Sequence, residues 1–188
     1  MTRLNQLAKD YCKYFHNGQF RKGSNQPYHT HPIAVARILE KYGHADETTQ
    51  CMALLHDVVE DTQVIMGQVK ERFGYEIANG VFVLSKNTLG EKTTILYNEA
   101  FSFDLDQVSK DDLYKLRLGF ARNKVKRVKI ADVIHNTQDL INLKPQGIEK
   151  KLNDARNFYI PMGKIIAPLM VQELEANLEN YLQKSSSV

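Results

Sequence analysis

The sequence predicts an all-α fold, and three observations support this prediction. The chain has 188 residues with 43% hydrophobic content, which is enough to bury a sizeable core. Apolar residues recur with helical spacing in one segment after another. Stretches that contain glycine and proline separate these segments, beginning with Gly18 to Tyr28. We therefore expect helices joined by loops, with residues 1–188 in a single domain.

The first three helices follow from apolar spacing and from capping residues. The first is expected over about residues 2–15. The second begins at His31, and a proline in its first turn is tolerated there because its missing N–H costs nothing. Asp46 is the expected N-cap of the third helix, which continues through His56 and Asp57.

The second half of the chain is also expected to be helical. Residues 63–85 predict two helices that are broken at Gly74, and helical spacing returns from residue 111 onward. Residues 145–147 predict a turn that precedes one short helix and a terminal helix around 165–182. Five basic side chains of this half are expected to be solvated, with contact between one or two of them and substrate phosphates as the alternative: Arg117, Arg122, Lys126, Arg127 and Lys129.

Charge and cysteine content narrow the classes of function. The formal net charge of +3 is spread without a polybasic run, so nucleic-acid and membrane partners are not predicted. Cys12 and Cys51 form neither a disulfide framework nor a CxxC zinc pattern. The N-terminal residues lack the apolar core of a signal peptide, and no stretch is as apolar as a membrane span. A reducing, cytoplasmic location is the expectation.

The stretch from Leu54 to Thr62 predicts a functional site. His56, Asp57, Glu60 and Asp61 lie there among apolar residues, and burying so many ionisable groups is costly unless a cation compensates. Asp57 precedes Glu60 and Asp61 by three and four residues, so these carboxylates share one helix face and repel each other. A solvated acidic helix end is the alternative, but the apolar neighbours disfavour it.

Two other segments complete a candidate ligand set. His31 opens an apolar helix, and Asp132 lies inside another one. With His56 and Asp57 they supply two imidazoles and two carboxylates from three helices, a mixed set suited to a divalent transition ion. His29 is a competing ligand candidate.

The order His…His-Asp…Asp resembles the HD-domain metal-dependent phosphohydrolases. Within them it is most similar to the hydrolase domain of the RelA/SpoT family and its stand-alone small alarmone hydrolases, the metazoan type included. The resemblance covers about residues 7–142, and residues 147–183 would be packing helices. These motifs carry it: His16–Lys22, Pro27-Tyr28, His31–Ala36, Leu54–Thr62, Arg72–Gly74 with Glu76–Ala78, and Lys129–Thr137.

The resemblance implies a reaction and a role for each site residue. The reaction is removal of the 3′-pyrophosphate of guanosine tetra- or pentaphosphate, an alarmone of the stringent response. The metal ligands would be His31, His56, Asp57 and Asp132, holding one divalent ion, Mn²⁺. Glu60 and Asp61 would orient or deprotonate the attacking water. Arg21, Lys22 and Asn136 would contact the purine nucleotide, His135 would be structural, and the role of Asp139 stays open.

Two alternatives stay open at this point. One is another nucleotide phosphohydrolase, acting on the adenosine analogue of the alarmone, on a deoxynucleoside monophosphate or at the 2′-phosphate of NADPH. The segment from Glu91 to Lys110 matches the family poorly, so it is either a specificity element or a variable connection. The other alternative is a catalytically silent nucleotide sensor, which the intact set of ligands and carboxylates disfavours.

Overall fold

The computed structural model describes residues 2–88, 108–138, 140 and 145–185. Within these residues the chain is helical apart from its loops and one isolated β-bridge, which pairs Phe20 with Pro27. The predicted all-α fold is therefore confirmed. In the same residues, no helix combines the length and the apolar character needed to span a bilayer.

The helices fall into two groups along the chain. The first group is α1 (Arg3–Phe15), α2 (Thr30–Lys41), α3 (Glu47–Leu55), α4 (Val58–Asp61), α5 (Met66–Phe73) and α6 (Tyr75–Leu84), followed by a 3₁₀ turn at Lys86–Thr88. The second group is α7 (Lys110–Gly119), α8 (Asn123–Gln138), α9 (Pro145–Asp154), α10 (Ile160–Ile166) and α11 (Pro168–Ser185).

Helix α8 lies at the centre of the packing. It contacts α2, α3, α6, α10 and α11, and α3 in turn packs against α1, α2 and α6. A helix surrounded in this way needs apolar residues on most of its faces. Asp132 consequently lies deep inside the protein. The buried apolar residues of α8 are Val125, Val128, Ile130, Ala131, Val133 and Ile134.

Capping residues explain where several helices begin and end. The Thr2 hydroxyl accepts the N–H of Asn5 at 3.2 Å, and the Asp46 carboxylate accepts the N–H of Thr49 at 3.2 Å, as expected of N-caps. Gly74 separates α5 from α6 with φ of 83°, a conformation that glycine adopts readily. The predicted cap at Asp46 and the predicted break at Gly74 are both confirmed.

The helix expected to run through His56 and Asp57 is instead interrupted there. Helix α3 ends at Leu55, and α4 begins at Val58. The His56 ring is the physical reason. Its Nδ1 lies 2.8 Å from the Ala53 carbonyl oxygen, which in a continuous helix would accept the N–H of Asp57.

The turn expected at 145–147 is wrong, because α9 already begins at Pro145. Proline suits the first position of a helix, since its fixed φ is helical and its missing N–H would be unpaired anyway. A π-helical turn over Ala155–Tyr159 joins α9 to α10, and there the Ile160 N–H donates to the Ala155 carbonyl five residues back.

Arg117 is buried, which corrects the expectation that it is solvated. Its side chain is 4% exposed and donates to the Ser85 carbonyl and the Thr88 hydroxyl, both at 2.7 Å. It thereby ties α7 to the 3₁₀ turn. Asp139 and residues 91–107 of the predicted variable segment lie outside the described residues.

Candidate metal centre and active site

The structure brings the four predicted metal ligands together. The Nε2 atom of His31 lies 3.0 Å from Oδ1 of Asp132 and 3.6 Å from Oδ2 of Asp57. The Nε2 atom of His56 lies 3.0 Å from Oδ2 of Asp57 and 3.7 Å from Oδ1 of Asp132. Each imidazole therefore faces both carboxylates, and the ligand atoms of His31, His56 and Asp132 all lie within 4.8 Å of one another.

The surroundings of His56 fit a bound cation. The Ala53 carbonyl can only accept a hydrogen bond, so Nδ1 of His56 carries a proton, and Nε2 is the nitrogen left to bind a second proton or a cation. This buried Nε2 has no hydrogen-bond partner among the described residues, although a carboxylate oxygen of Asp57 lies 3.0 Å away. Two electron-rich atoms at this distance need a positive charge between them. Burial opposes a charge on His56, but Asp57 and Asp132 outweigh it and raise its pKa well above the usual value, so a proton on Nε2 supplies this charge when no ion is bound. A divalent ion would take the place of that proton.

The other imidazole of the candidate ligand set contacts a third histidine. Burial lowers the pKa of His31, whose side chain is therefore a neutral imidazole. Its Nδ1 atom lies 2.8 Å from Nδ1 of His135. If Nε2 of His31 faces an ion, its Nδ1 carries the ring proton and donates a hydrogen bond to Nδ1 of His135. His135, predicted to be structural, thus touches a candidate ligand.

Asp132 is held on both of its oxygens. Its Oδ2 accepts from Nζ of Lys129 at 2.7 Å, and its Oδ1 accepts from Nδ2 of Asn136 at 2.6 Å. Burial opposes the charge of Asp132, but the Lys129 ammonium outweighs it and holds the pKa of the carboxyl well below its usual range. Lys129 is therefore a buried partner of Asp132, which corrects the prediction that it is solvated. The spacing of three residues on one helix was a signal for this pair.

The loop before α2 supports Asp57 and the α4 segment. The Tyr28 hydroxyl donates to Oδ2 of Asp57 at 2.8 Å, and burial raises the pKa of Tyr28, which keeps the hydroxyl protonated. The Tyr28 ring lies on the ring of His16 with 4.8 Å between centroids. His16 also bonds Gln19 at 2.7 Å, and Gln19 donates to the backbone carbonyl of Asp61 at 2.7 Å.

The predicted catalytic carboxylates have different surroundings. Glu60 accepts the backbone N–H of Lys86 at 2.8 Å. Burial raises the pKa of Glu60, and the nearby charge of Asp57 adds to this effect. Asp61 is exposed and lines a cleft. A proton-transfer role suits Glu60, and access to a bound substrate suits Asp61.

Two clefts open beside this centre. The first cleft, of about 580 Å³, is lined by Arg21, Lys22, Tyr28 and Asp61 among others. The second cleft, of about 330 Å³, is lined by Lys86, Lys129, Asp132, Lys150, Asp154 and Tyr159 among others. Asn136 and Lys151 line both. A larger cavity of about 700 Å³ lies between α1 and α5, but its described lining contains no histidine, so size alone does not locate the chemistry.

The first cleft contains the predicted nucleotide contacts. The side chain of Arg21 reaches Asn136, with 3.4 Å between Nη2 and Oδ1, so the loop before α2 and helix α8 meet across this cleft. Sequence reasoning did not identify Tyr28, His135 or Lys151 as site residues. Tyr28 and His135 lie inside motifs that carry the family resemblance, but their contacts with Asp57 and His31 depend on how distant segments pack. Lys151 lies outside these motifs.

Comparison with known proteins agrees with this arrangement. Residues 8–164 match the profile of a family described as the HD domain. This chain belongs to the HD domain family. A solved structure of a metazoan ortholog of SpoT, described as hydrolysing ppGpp, is similar with a TM-score of 0.77 and 21% identity. The similarity covers 96% of this chain and 97% of the other. At this identity the similarity establishes the shared HD fold.

Curated relatives of this HD domain include longer proteins. A guanosine-3′,5′-bis(diphosphate) 3′-pyrophosphohydrolase of Haemophilus influenzae is 34% identical over 150 residues, which are 79% of this chain and 20% of the relative. A GTP pyrophosphokinase of Streptomyces coelicolor is 32% identical over 168 residues, 86% of this chain and 18% of the relative. The chain thus spans about a fifth of the length of these relatives. The predicted resemblance to RelA/SpoT-type HD domains is confirmed.

Proposed function

We propose that this chain is a divalent-metal-dependent phosphohydrolase that removes the 3′-pyrophosphate of guanosine tetra- and pentaphosphate, yielding GDP or GTP. The observation that carries the proposal is the convergence of His31, His56, Asp57 and Asp132 beside two clefts with basic linings. The name of the Haemophilus influenzae relative, a 3′-pyrophosphohydrolase, supports the choice of substrate.

The four converging side chains would hold one ion, for which we propose Mn²⁺. A mixed set of imidazole and carboxylate ligands suits a divalent transition ion. When bound, such an ion lowers the pKa of a coordinated water and polarises a phosphoryl oxygen. Tyr28, Lys129 and His135 would keep the ligands in place through their hydrogen bonds to Asp57, Asp132 and His31 respectively.

The chain's own carboxylates would handle the protons. In the proposed reaction a water oxygen attacks the phosphorus bound to the ribose O3′, the bond from that phosphorus to O3′ breaks, and pyrophosphate leaves with the new oxygen. Glu60 and Asp61 would orient this water and accept its proton, while O3′ of the product takes one up. Burial raises the pKa of Glu60, and a shift in this direction favours proton exchange by the carboxyl group.

Basic side chains in the first cleft would bind the nucleotide. Arg21 and Lys22 line this cleft together with Asp61, and Asn136 connects it to Asp132. A guanidinium can stack on a base or bind a phosphate through two parallel hydrogen bonds. We also propose a cytoplasmic location, which the free thiols of Cys12 and Cys51 support.

Product analysis tests the proposal. Metal-stripped protein is incubated with ppGpp, with and without added Mn²⁺, and the nucleotides are separated by ion exchange. We expect equal amounts of GDP and pyrophosphate only when metal is present. The variant Asp57→Asn should be inactive, whereas Asp10→Asn, on the remote surface of α1, should match the native protein. Intact ppGpp after incubation with Mn²⁺ would refute the proposed substrate, and turnover of ppApp or NADPH in the same assay would replace it.

A further inference from the structure

Lys151 stands out among the basic residues around the two clefts. It lies on α9 and, with Asn136, lines both the first and the second cleft. Its side chain is half-buried. A substrate that extends from one cleft into the other would therefore pass this ammonium group.

The other lysines of the second cleft already have counter-ions. Lys129 bonds Asp132 at 2.7 Å. Lys86 and Lys150 bond Asp111 at 3.0 and 2.9 Å. The Lys151 ammonium, by contrast, has neither an ion pair nor a hydrogen bond to any of the residues that the structure describes.

The surroundings of Lys151 disfavour a charge that has no partner. Burial lowers the pKa of Lys151, and the nearby positive charges of Lys129, Arg21 and Lys22 lower it further, while Asp132 opposes them. A half-buried cation among other cations costs free energy in the unliganded protein. A phosphate group bound there would relieve this cost and gain charge-assisted hydrogen bonds.

We propose that Lys151 binds the 5′-phosphates of the substrate, which the reaction leaves intact, and so selects nucleotides phosphorylated at both the 3′ and the 5′ position. This inference rests on the proposed function, in which the 3′-pyrophosphate lies at the converging ligands. The candidate ligands lie next to both clefts. Asp132 lines the second cleft, and Tyr28, which donates a hydrogen bond to Asp57, lines the first. A nucleotide phosphorylated only at the 3′ position would leave Lys151 without an anion.

Steady-state kinetics with a substrate series tests this role. The series is guanosine 3′-diphosphate with a 5′-diphosphate, a 5′-monophosphate or a 5′-hydroxyl, and the native kcat/KM should fall along it. Lys151→Met keeps an unbranched side chain that is one atom shorter and removes the charge. We expect KM for ppGpp to rise roughly tenfold to a hundredfold with kcat little changed, as for a lost hydrogen bond between charged groups. The 5′-hydroxyl substrate should be unaffected.

Two further variants separate binding from structure. Lys151→Arg should retain most of the preference for 5′-phosphates. Lys164→Met serves as the charge-matched control, because Lys164 is 62% exposed on α10, where it pairs with Glu175. A purely structural lysine would lower Tm when replaced. Lys151→Met should instead leave Tm unchanged or raise it, since an uncompensated buried charge is removed.

The outcomes are distinct. An unchanged KM for ppGpp in Lys151→Met, or an equal loss of kcat on all three substrates, would overturn the role in binding 5′-phosphates. If native protein with Mn²⁺ cleaves none of the three, the proposed function fails instead. Calorimetric titration of ppGpp and of guanosine 3′-diphosphate into both proteins then decides the role of Lys151. Tighter binding of ppGpp that depends on Lys151 would support it, and equal binding would refute it.

Discussion

Replacing His135 tests whether the hydrogen bond to His31 prepares the metal centre. His31 is 1% exposed, and its Nδ1 lies 2.8 Å from Nδ1 of His135. In His135→Phe the N–H of His31 would be buried without this acceptor, at a cost of about 1–3 kcal/mol. Loss of a residue that accepts a hydrogen bond from a metal-binding histidine typically weakens metal binding about tenfold to a hundredfold, which corresponds to about 1.4–2.7 kcal/mol. We therefore expect Mn²⁺ to bind His135→Phe at least tenfold more weakly.

Isothermal titration of metal-stripped protein with Mn²⁺ measures this affinity directly, without relying on turnover. His135→Gln should bind Mn²⁺ more tightly than His135→Phe, because an amide oxygen can still accept the hydrogen bond. His44→Phe is the control, since His44 is half-buried in the connection between α2 and α3. If all three variants bind Mn²⁺ like the native protein, His135 has no part in positioning His31 and the reasoning is wrong.

Three further predictions concern other parts of the structure. In Gly163→Ala the new Cβ would lie 2.5 Å from Cγ2 of Val171, so thermal unfolding should show a loss of about 1–3 kcal/mol. Tyr28→Phe removes the donor to Asp57 but keeps the ring, and titration should show about tenfold weaker Mn²⁺ binding with an unchanged Tm. Burial opposes the charge of Asp111, but three lysines outweigh this effect and lower its pKa. The ionised Asp111 therefore stabilises the folded protein above about pH 4, and this stabilisation is lost as pH falls. In urea unfolding, Asp111→Asn should cost about 1 kcal/mol at pH 7 and less at pH 3.

The sequence could indicate candidate ligands because helical periodicity and buried charge are local signals, and their role in binding metal stays a prediction. A carboxylate or an imidazole inside an apolar helix is costly, so His31, His56, Asp57 and Asp132 could each be identified without knowing their neighbours. The cap at Asp46 likewise depends on residues three positions apart. The imidazole nitrogens and carboxylate oxygens of the candidate ligands come within 3.0–3.7 Å of each other because α2, α3 and α8 pack together.

Side-chain contacts, local as well as long-range, account for what the sequence did not predict. The break after Leu55 arises because the His56 ring bonds a backbone carbonyl within its own turn, and propensity does not reveal this competition. Lysine side chains are usually solvated, yet that of Lys129 is buried against Asp132. Lys151 lines both clefts because α9 packs beside the site, and its sequence context is an ordinary basic helix.

Lys129 also affects the net charge of the candidate metal centre. Its ammonium bonds Oδ2 of Asp132, which leaves Oδ1 to face the two imidazoles. Asp57, Asp132 and Lys129 together contribute a single net negative charge, and both imidazoles would be neutral with an ion bound to them. A divalent ion would turn this into a net positive charge, which attracts a phosphate and adds to the basic linings of the clefts. Without Lys129 the bound centre would be neutral, so the lysine favours an anionic substrate even though its own charge is buried.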